Sequence, residues 1–222
     1  MYTLYGKSGS GSAAIEAALT LIRQPFRIVE TATWAQNDAY AQLLAVNPLG
    51  QIPTLVLPDG TALSESAAIL IHLGTTHDDG KLLPRDSTAR AKAVRGLVYI
   101  AANCYAAISL IDYPPRWCTD ADADEAVQQR IRAGTRARLH HHWELFADVF
   151  GNSPYLGGNE LNALDLLAAV VSKWSGARQH LARHRPAFND TLQRIESHPD
   201  VAAVFARHWP PTSKASTPNA AT

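Results

Sequence analysis

The feature that most constrains this 222-residue chain is a switch in its apolar periodicity near residue 86. Before it, apolar runs of strand length alternate with segments whose apolar residues recur at helical spacing; after it, only the helical spacing persists. A chain patterned this way is expected to fold as an α/β unit followed by an all-helical one. Tyr2 to Gly6 reads as a strand, and Ser12 to Arg23 as a helix with Ala14, Ile15, Ala18, Leu19 and Ile22 on one face. Pro25 to Glu30 reads as a second strand, and Asp38 to Val46 as a helix that stops ahead of Asn47-Pro48, because the residue before a proline is driven out of the helical region. Thr54 to Leu57 and Thr61 to Leu63, joined by Pro58-Asp59-Gly60, predict a hairpin, and a helix from Glu65 to about Leu73 closes a βαβαββα unit over 1–77. The region 86–211 predicts helices at Ser87 to Ile111, Asp122 to Phe150, Ala163 to Trp174, Ala187 to Ile195 and Pro199 to Trp209. The small, polar residues 212–222 predict a disordered tail.

Charge narrows the function. Twenty basic residues balance twenty acidic ones, so the chain has no field with which to hold a polyanion, and nucleic acid is not an expected partner. Two cysteines, Cys104 and Cys118, are too few for a disulfide framework or a zinc site and fit a reducing compartment. The amino terminus shows no basic region followed by an apolar stretch, and no run approaching the ~18 apolar residues of a membrane span is expected, which predicts a cytoplasmic protein without a membrane partner. The His140-His141-His142 tract would point its side chains about 100° apart on a helix. His180 and His184 have i,i+4 spacing but no accompanying carboxylate or cysteine pattern, so no metal is expected.

Two motifs carry chemistry. In Asn47-Pro48-Leu49-Gly50-Gln51-Ile52-Pro53-Thr54-Leu55, a proline directly before a strand cannot donate to the ladder and suggests an edge, a bulge or a cis turn. A cis Ile52-Pro53 bond would turn the Ile52 backbone outward to pair with an extended, peptide-like ligand. In Leu63-Ser64-Glu65-Ser66-Ala67, a carboxylate and hydroxyls stand at a strand-to-helix junction. There the helix amides favour an anion and the carboxylate an ammonium, a combination suited to an amino-acid zwitterion, although an ordinary N-cap reads the same way.

Together with the βαβ half, these motifs resemble the glutathione transferase superfamily over nearly the whole chain. The Asp59-Gly60 turn, the Tyr155-to-Asp165 segment with Asn162 as a helix cap, and the closing Arg185-Pro186 and His198-Pro199 helix starts take part in the same match. The resemblance implies a thioredoxin-like amino-terminal domain, an all-helical second domain, a homodimer, glutathione as co-substrate, and a detoxifying attack of its sulfur on a small hydrophobic electrophile. It implies that Gln51, Ile52 and Pro53 hold the cysteinyl backbone and that Glu65 and Ser66 bind the γ-glutamyl end.

A thiol of pKa ~8.5 is only about 3% thiolate at pH 7, and lowering that value two units takes about 2.7 kcal/mol. A helix dipole supplies ~0.3 to 1 kcal/mol, whereas a hydrogen bond to the charged sulfur adds about 1.5 to 3. The resemblance therefore implies a hydroxyl at the first helix start. Ser10 lies closest to the catalytic hydroxyl of serine-type members, Ser12 matches a serine beside the catalytic cysteine of beta-type members, Gly11 takes that cysteine's place, and Tyr5 is a looser third candidate. Tyr99 and Tyr105, then Tyr113, Trp117 and Trp174, supply aromatic surface that would either pack in the core or face the electrophile, with Tyr105, Tyr113 and Trp117 the candidates for contact, and Arg116 would either receive an anionic substrate group or stay solvated. The stretch from Ile28 to Leu57 contains none of the basic residues that hold the glycine carboxylate in many members. Trp34, Asn37 and Gln51 are the neutral substitutes, and Lys7 an alternative cation. The same fold also permits other glutathione chemistry, including disulfide or peroxide reduction, dehalogenation, ether cleavage and isomerisation, or a non-catalytic binding role.

Overall fold

A computed structural model describes residues 1–77, 80–118 and 124–210. The expected tail at 212–222 lies outside the described residues. The amino-terminal half contains β1 (Tyr2–Gly6), α1 (Ser12–Leu21), β2 (Phe26–Glu30), α2 (Asp38–Val46), β3 (Thr54–Val56), β4 (Ala62–Leu63) and α3 (Ser66–Thr76). The four strands form one sheet in the order β2-β1-β3-β4. β1 runs parallel to β2, with Leu4 opposite Ile28, and antiparallel to β3, with Leu4 opposite Leu55. The parallel pair requires a crossover, which α1 supplies. β1 is buried along its whole length because strands flank it on both sides. β2, at the edge, is partly exposed and carries Arg27 and Glu30, charges that discourage further strand pairing. This is the thioredoxin-like βαβαββα arrangement.

The second half is helical: α4 (Ser87–Tyr99), a π-helical turn (Ile100–Tyr105), α5 (Ala106–Asp112), a 3₁₀ turn (Pro114–Trp117), α6 (Glu125–Phe150), α7 (Ala163–Val171), α8 (Ala177–His184), α9 (Pro186–Glu196) and α10 (Ala202–His208). The segment from Ser87 to Asp112 is long and apolar enough, by length and composition, to cross a membrane, which corrects the expectation that none would be. Here it packs Leu97, Ile100, Cys104 and Ile111 into the protein core.

One hydrophobic core joins the two halves. All nine residues of α7 are buried, α1 lies against it, and Ala13, Ala14, Ala17 and Ala18 of α1 are fully buried. Gly96 of α4 allows close approach to α7, since a β-carbon there would sit 2.7 Å from a Leu164 methyl. α7 begins with a complete capping box. The Asn162 side chain accepts from the Leu164 and Asp165 amides, while the buried Asp165 carboxylate accepts from Asn162 N–H at 3.0 Å and Leu156 N–H at 2.8 Å. Burial pushes the Asp165 carboxyl up to about 7 despite those two donors.

Several boundaries differ from the sequence expectation. α7 ends at Val171 rather than near Trp174, because Ser175 and Gly176 both take positive φ and turn the chain into α8. α8 escaped the periodicity reading because Ala177 and Leu181 alone are buried among its charged and polar residues. The long helix expected over Ser87 to Ile111 contains the π-helical turn, which helical periodicity does not announce.

Candidate functional site

A cleft of about 490 Å³ opens between the two halves. Its floor is the start of α1, Ser10 and Gly11; one wall carries Gln51, Ile52, Pro53, Glu65 and Ser66; the other carries Tyr105, Ile108, Tyr113, Arg116 and Trp174.

The Ile52-Pro53 peptide is cis. The loop leading to it is held by a relay in which the Asn47 amide donates to Thr54 Oγ1 at 2.8 Å and Thr54 Oγ1 donates to the Gln51 carbonyl at 2.7 Å, both residues being buried. Gly50, at φ 62°, has no room for a side chain, as a β-carbon would lie 2.7 Å from the Tyr40 hydroxyl. The loop thus fixes Ile52 at the cleft wall. Beside it, Glu65 forms the N-cap of α3 at φ 63° and ψ 109° and makes no side-chain cap bond. A non-glycine residue in that region costs about 1–3 kcal/mol and persists where its surroundings over-determine it. Glu65, Ser66 and Ala67 bring a carboxylate and the start of α3 to the same part of the cleft.

At the floor, Gly11 is the N-cap of α1 and offers no side-chain cap. The Ser10 hydroxyl donates to the Lys7 carbonyl at 2.7 Å and accepts the Lys7 and Ser12 amides at 3.3 Å each. Ser12 Oγ stands 2.9 Å from Ser10 Oγ and 3.2 Å from the same Lys7 carbonyl. Ser12 is only 2% exposed and packs on Gly6, where a β-carbon would collide with it. Of the two serines expected there, Ser10 lines the cleft with its proton committed to the loop, and Ser12 lies beneath it. Tyr5 is buried in β1, away from the cleft lining.

The loop before α1 is also held from the far end of the chain. Gly9 N–H donates to His208 Nδ1 at 3.1 Å, and Ser8 Oγ donates to the Arg207 carbonyl at 3.2 Å. His208 Nε2 stands 2.8 Å from Glu16 of α1, and Arg207 pairs with the same carboxylate. With Nδ1 accepting, the imidazole is neutral and protonated on Nε2. Burial, and then the Arg207 charge, lower its pKa to about 4.

On the helical wall, the Tyr105 ring meets Trp174 edge-to-face at 5.6 Å. Burial, reinforced by the Glu65 carboxylate, raises the Tyr105 phenol to about 12. Tyr113 lies at the mouth with the Arg116 guanidinium 4.1 Å above its ring. Trp117 is 58% exposed and stands outside the cleft lining. Asp112, raised by burial, lines the cleft and was not anticipated from sequence. Of the neutral substitutes, Asn37 is occupied as the cap of α2, accepting from Tyr40 N–H at 3.0 Å. Trp34 lines the cleft with the Lys7 ammonium 5.4 Å from its ring centre.

The histidine tract diverges: His140 approaches the Ser175 carbonyl and stacks on His180, whereas His142 meets the Tyr99 hydroxyl. Among the described residues, no group of three or more His, Cys, Asp or Glu is placed to hold a metal ion. His208 and Glu16, which fix the floor, were missed because 192 residues separate them and neither sits in a local motif.

Residues 12–76 match the family model for the glutathione S-transferase amino-terminal domain. The chain is 30% identical over 210 residues to an uncharacterized GST-like protein, YncG, of Escherichia coli K12, covering 94% of this chain and 98% of that one. It is 29% identical over 206 residues to glutathione S-transferase GstA of Escherichia coli O157:H7, covering 89% and 94%. Among solved structures, a glutathione transferase homologue from Sulfitobacter with bound glutathione superposes at a TM-score of 0.79, with 24% identity, over 92% of this chain and 96% of that one. Identity of 30% over 94% of this chain, on the same two-part fold, establishes that the chain belongs to the glutathione transferase superfamily.

Proposed function

We propose that the cleft binds glutathione and presents its sulfur at the start of α1 for attack on a small hydrophobic electrophile. The observation that carries this reading is the convergence on one cleft of the Ile52 backbone, the Glu65 and Ser66 helix start, and the amino terminus of α1. Ile52, flanked by Gln51 and Pro53, pairs with the cysteinyl backbone; Glu65 takes the γ-glutamyl ammonium, and Ser66 with the α3 amides takes its carboxylate. Lys7, resting over Trp34 at the rim, is the cation available to the glycine carboxylate. The electrophile lies against Tyr105, Ile108, Tyr113 and Trp174 on the helical wall. Holding it there matters more than activating the sulfur, because a two-unit fall in thiol pKa gains about twenty-five-fold in thiolate and loses about eight-fold in nucleophilicity. The assembly in solution is a homodimer, as the family membership suggests.

Calorimetric titration of the purified chain with reduced glutathione, and with an S-alkylated analogue, tests the reading. Dissociation constants in the micromolar to low-millimolar range are expected, the analogue binding more tightly through the apolar wall. Absence of binding to both overturns it.

A further inference from the structure

The start of α1 holds no free hydroxyl. Ser10 and Ser12 share their two protons between the Lys7 carbonyl and each other, and the Ser10 oxygen also accepts two backbone amides. Donating to a ligand sulfur would cost Ser10 its 2.7 Å bond and loosen the turn that begins the helix.

A different hydroxyl already stands there. The Tyr105 side chain crosses the cleft from the opposite wall and presses its oxygen against Gly11. A β-carbon built on Gly11 would lie 2.4 Å from that oxygen and 3.3 Å from the ring carbon bearing it. Gly11 is at φ −60°, a value open to any residue, so its lack of a side chain answers to Tyr105 and not to the backbone. The Tyr105 hydroxyl has no hydrogen-bond partner among the described residues, whereas Tyr2 and Tyr99 both bond histidines. Tyr105 is the last residue of the π-helical turn, a local insertion of the kind that re-aims side chains at functional sites. Trp174 backs its ring, which fixes the direction of the phenol.

We propose that Tyr105, delivered from the helical wall into the space left by Gly11, is the catalytic donor that stabilises the glutathione thiolate. This rests on the reading of the cleft given above and reassigns the donor within it. The thiol proton passes to solvent, and the sulfur anion accepts the phenol O–H, which keeps its own proton. The new sulfur–carbon bond then forms as the electrophile's leaving group departs with its bonding pair. A phenol held near 12 remains a donor throughout the working range and does not compete with the thiol for ionisation.

The test is the ultraviolet thiolate band of bound reduced glutathione, followed against pH in the full-length protein and in Tyr105→Phe. Loss of the hydroxyl is expected to raise the bound thiol's pKa by about one to two units. Turnover of an activated aryl halide falls by about two- to six-fold near pH 6.5, less than the loss of thiolate because the more basic sulfur is the better nucleophile, and the deficit closes as pH rises past the shifted value, a recovery that a merely structural role would not produce. Affinity for S-methylglutathione, which has no thiol to ionise, stays within about two-fold on the same constants. Gly11→Ala, which displaces the hydroxyl while leaving Tyr105 intact, is expected to move the thiol in the same direction. An unchanged thiol pKa in Tyr105→Phe, or a larger shift in Ser10→Ala than in Tyr105→Phe, overturns the assignment while glutathione binding still stands. Failure of the parent protein to bind glutathione in the same titration overturns both the assignment and the reading beneath it.

Discussion

The start of α7 and the starts of α1 and α3 solve the same problem in opposite ways. At α7, the Asn162 side chain and the Asp165 carboxylate cover the first amides and the turn before them, so the helix start is complete within the core. At α1 and α3, the N-cap residues Gly11 and Glu65 provide no side-chain cap, and both starts face the cleft. A helix start closed by its own side chains has only a structural role. One without such a cap, as at α3, keeps its amides and dipole for a ligand, whereas at α1 the Ser10 hydroxyl and the Ser10 and Gly11 carbonyls accept the first amides and the dipole remains. α1 takes its support from α10, through His208 on Gly9 and on Glu16.

The comparison breaks most sharply at Asp165. Asp165→Ala strands the Leu156 and Asn162 amides in the core, and the expected loss is about 3–5 kcal/mol by urea denaturation, with glutathione affinity per folded molecule unchanged. A loss below about 1 kcal/mol would show that the box is dispensable.

His208→Leu has the next largest effect. Removing the Gly9 acceptor and the Glu16 partner is expected to cost about 2–3 kcal/mol and, unlike the change at Asp165, to weaken glutathione binding several-fold because the floor of the cleft loosens. The pH dependence has a definite sign. The folded imidazole titrates near 4 and the unfolded one near about 6.5, so the native state binds fewer protons in between. The stability due to neutral His208 is therefore present above about 6.5 and is lost as pH falls towards about 4. The gap in urea midpoint between parent and His208→Leu should narrow over that window. Asp165, raised to about 7, slopes the other way, so each variant is compared with the parent at the same pH.

The smallest effect is expected at Asn162. Asn162→Ser should change stability by less than about 0.5 kcal/mol, since serine caps equally well, while Asn162→Ala should cost about 1 kcal/mol. A larger penalty for serine would mean that Asn162 is held chiefly by its packing beneath Gly157, where a β-carbon would strike its amide nitrogen, and not by its capping bonds.

What the sequence disclosed follows from the range of the interactions. The strand and helix order of the first half, the Ile52-Pro53 turn, the Glu65-Ser66 junction and the Asn162 cap are all written in residues a few positions apart, where periodicity and capping rules act. The state of Ser10 and Ser12 was not legible, because the group that engages both is the Lys7 backbone carbonyl, and a serine in sequence does not show where its proton goes. Trp117 was read as a cleft residue from its place beside Tyr113, but the 3₁₀ turn at Pro114–Trp117 carries it outward. The meeting of Tyr105 with Gly11 and of His208 with Glu16 depends on packing between distant helices, and the first also on a π-helical turn hidden in an otherwise helical run.

That turn gives the helical wall room for one extra residue. A π-helical turn contains one residue more than regular α-helix within about the same rotation, so deleting a single residue between Ile100 and Tyr105 would restore an ordinary helix with its two flanks in the same relative phase. Only the side chains within the turn would be exchanged. The choice of residue presented to Gly11 is thus set by a count as much as by an identity. A one-residue gain or loss in this stretch would exchange the group facing Gly11 while the sheet, α1 and the Glu65 junction keep their places.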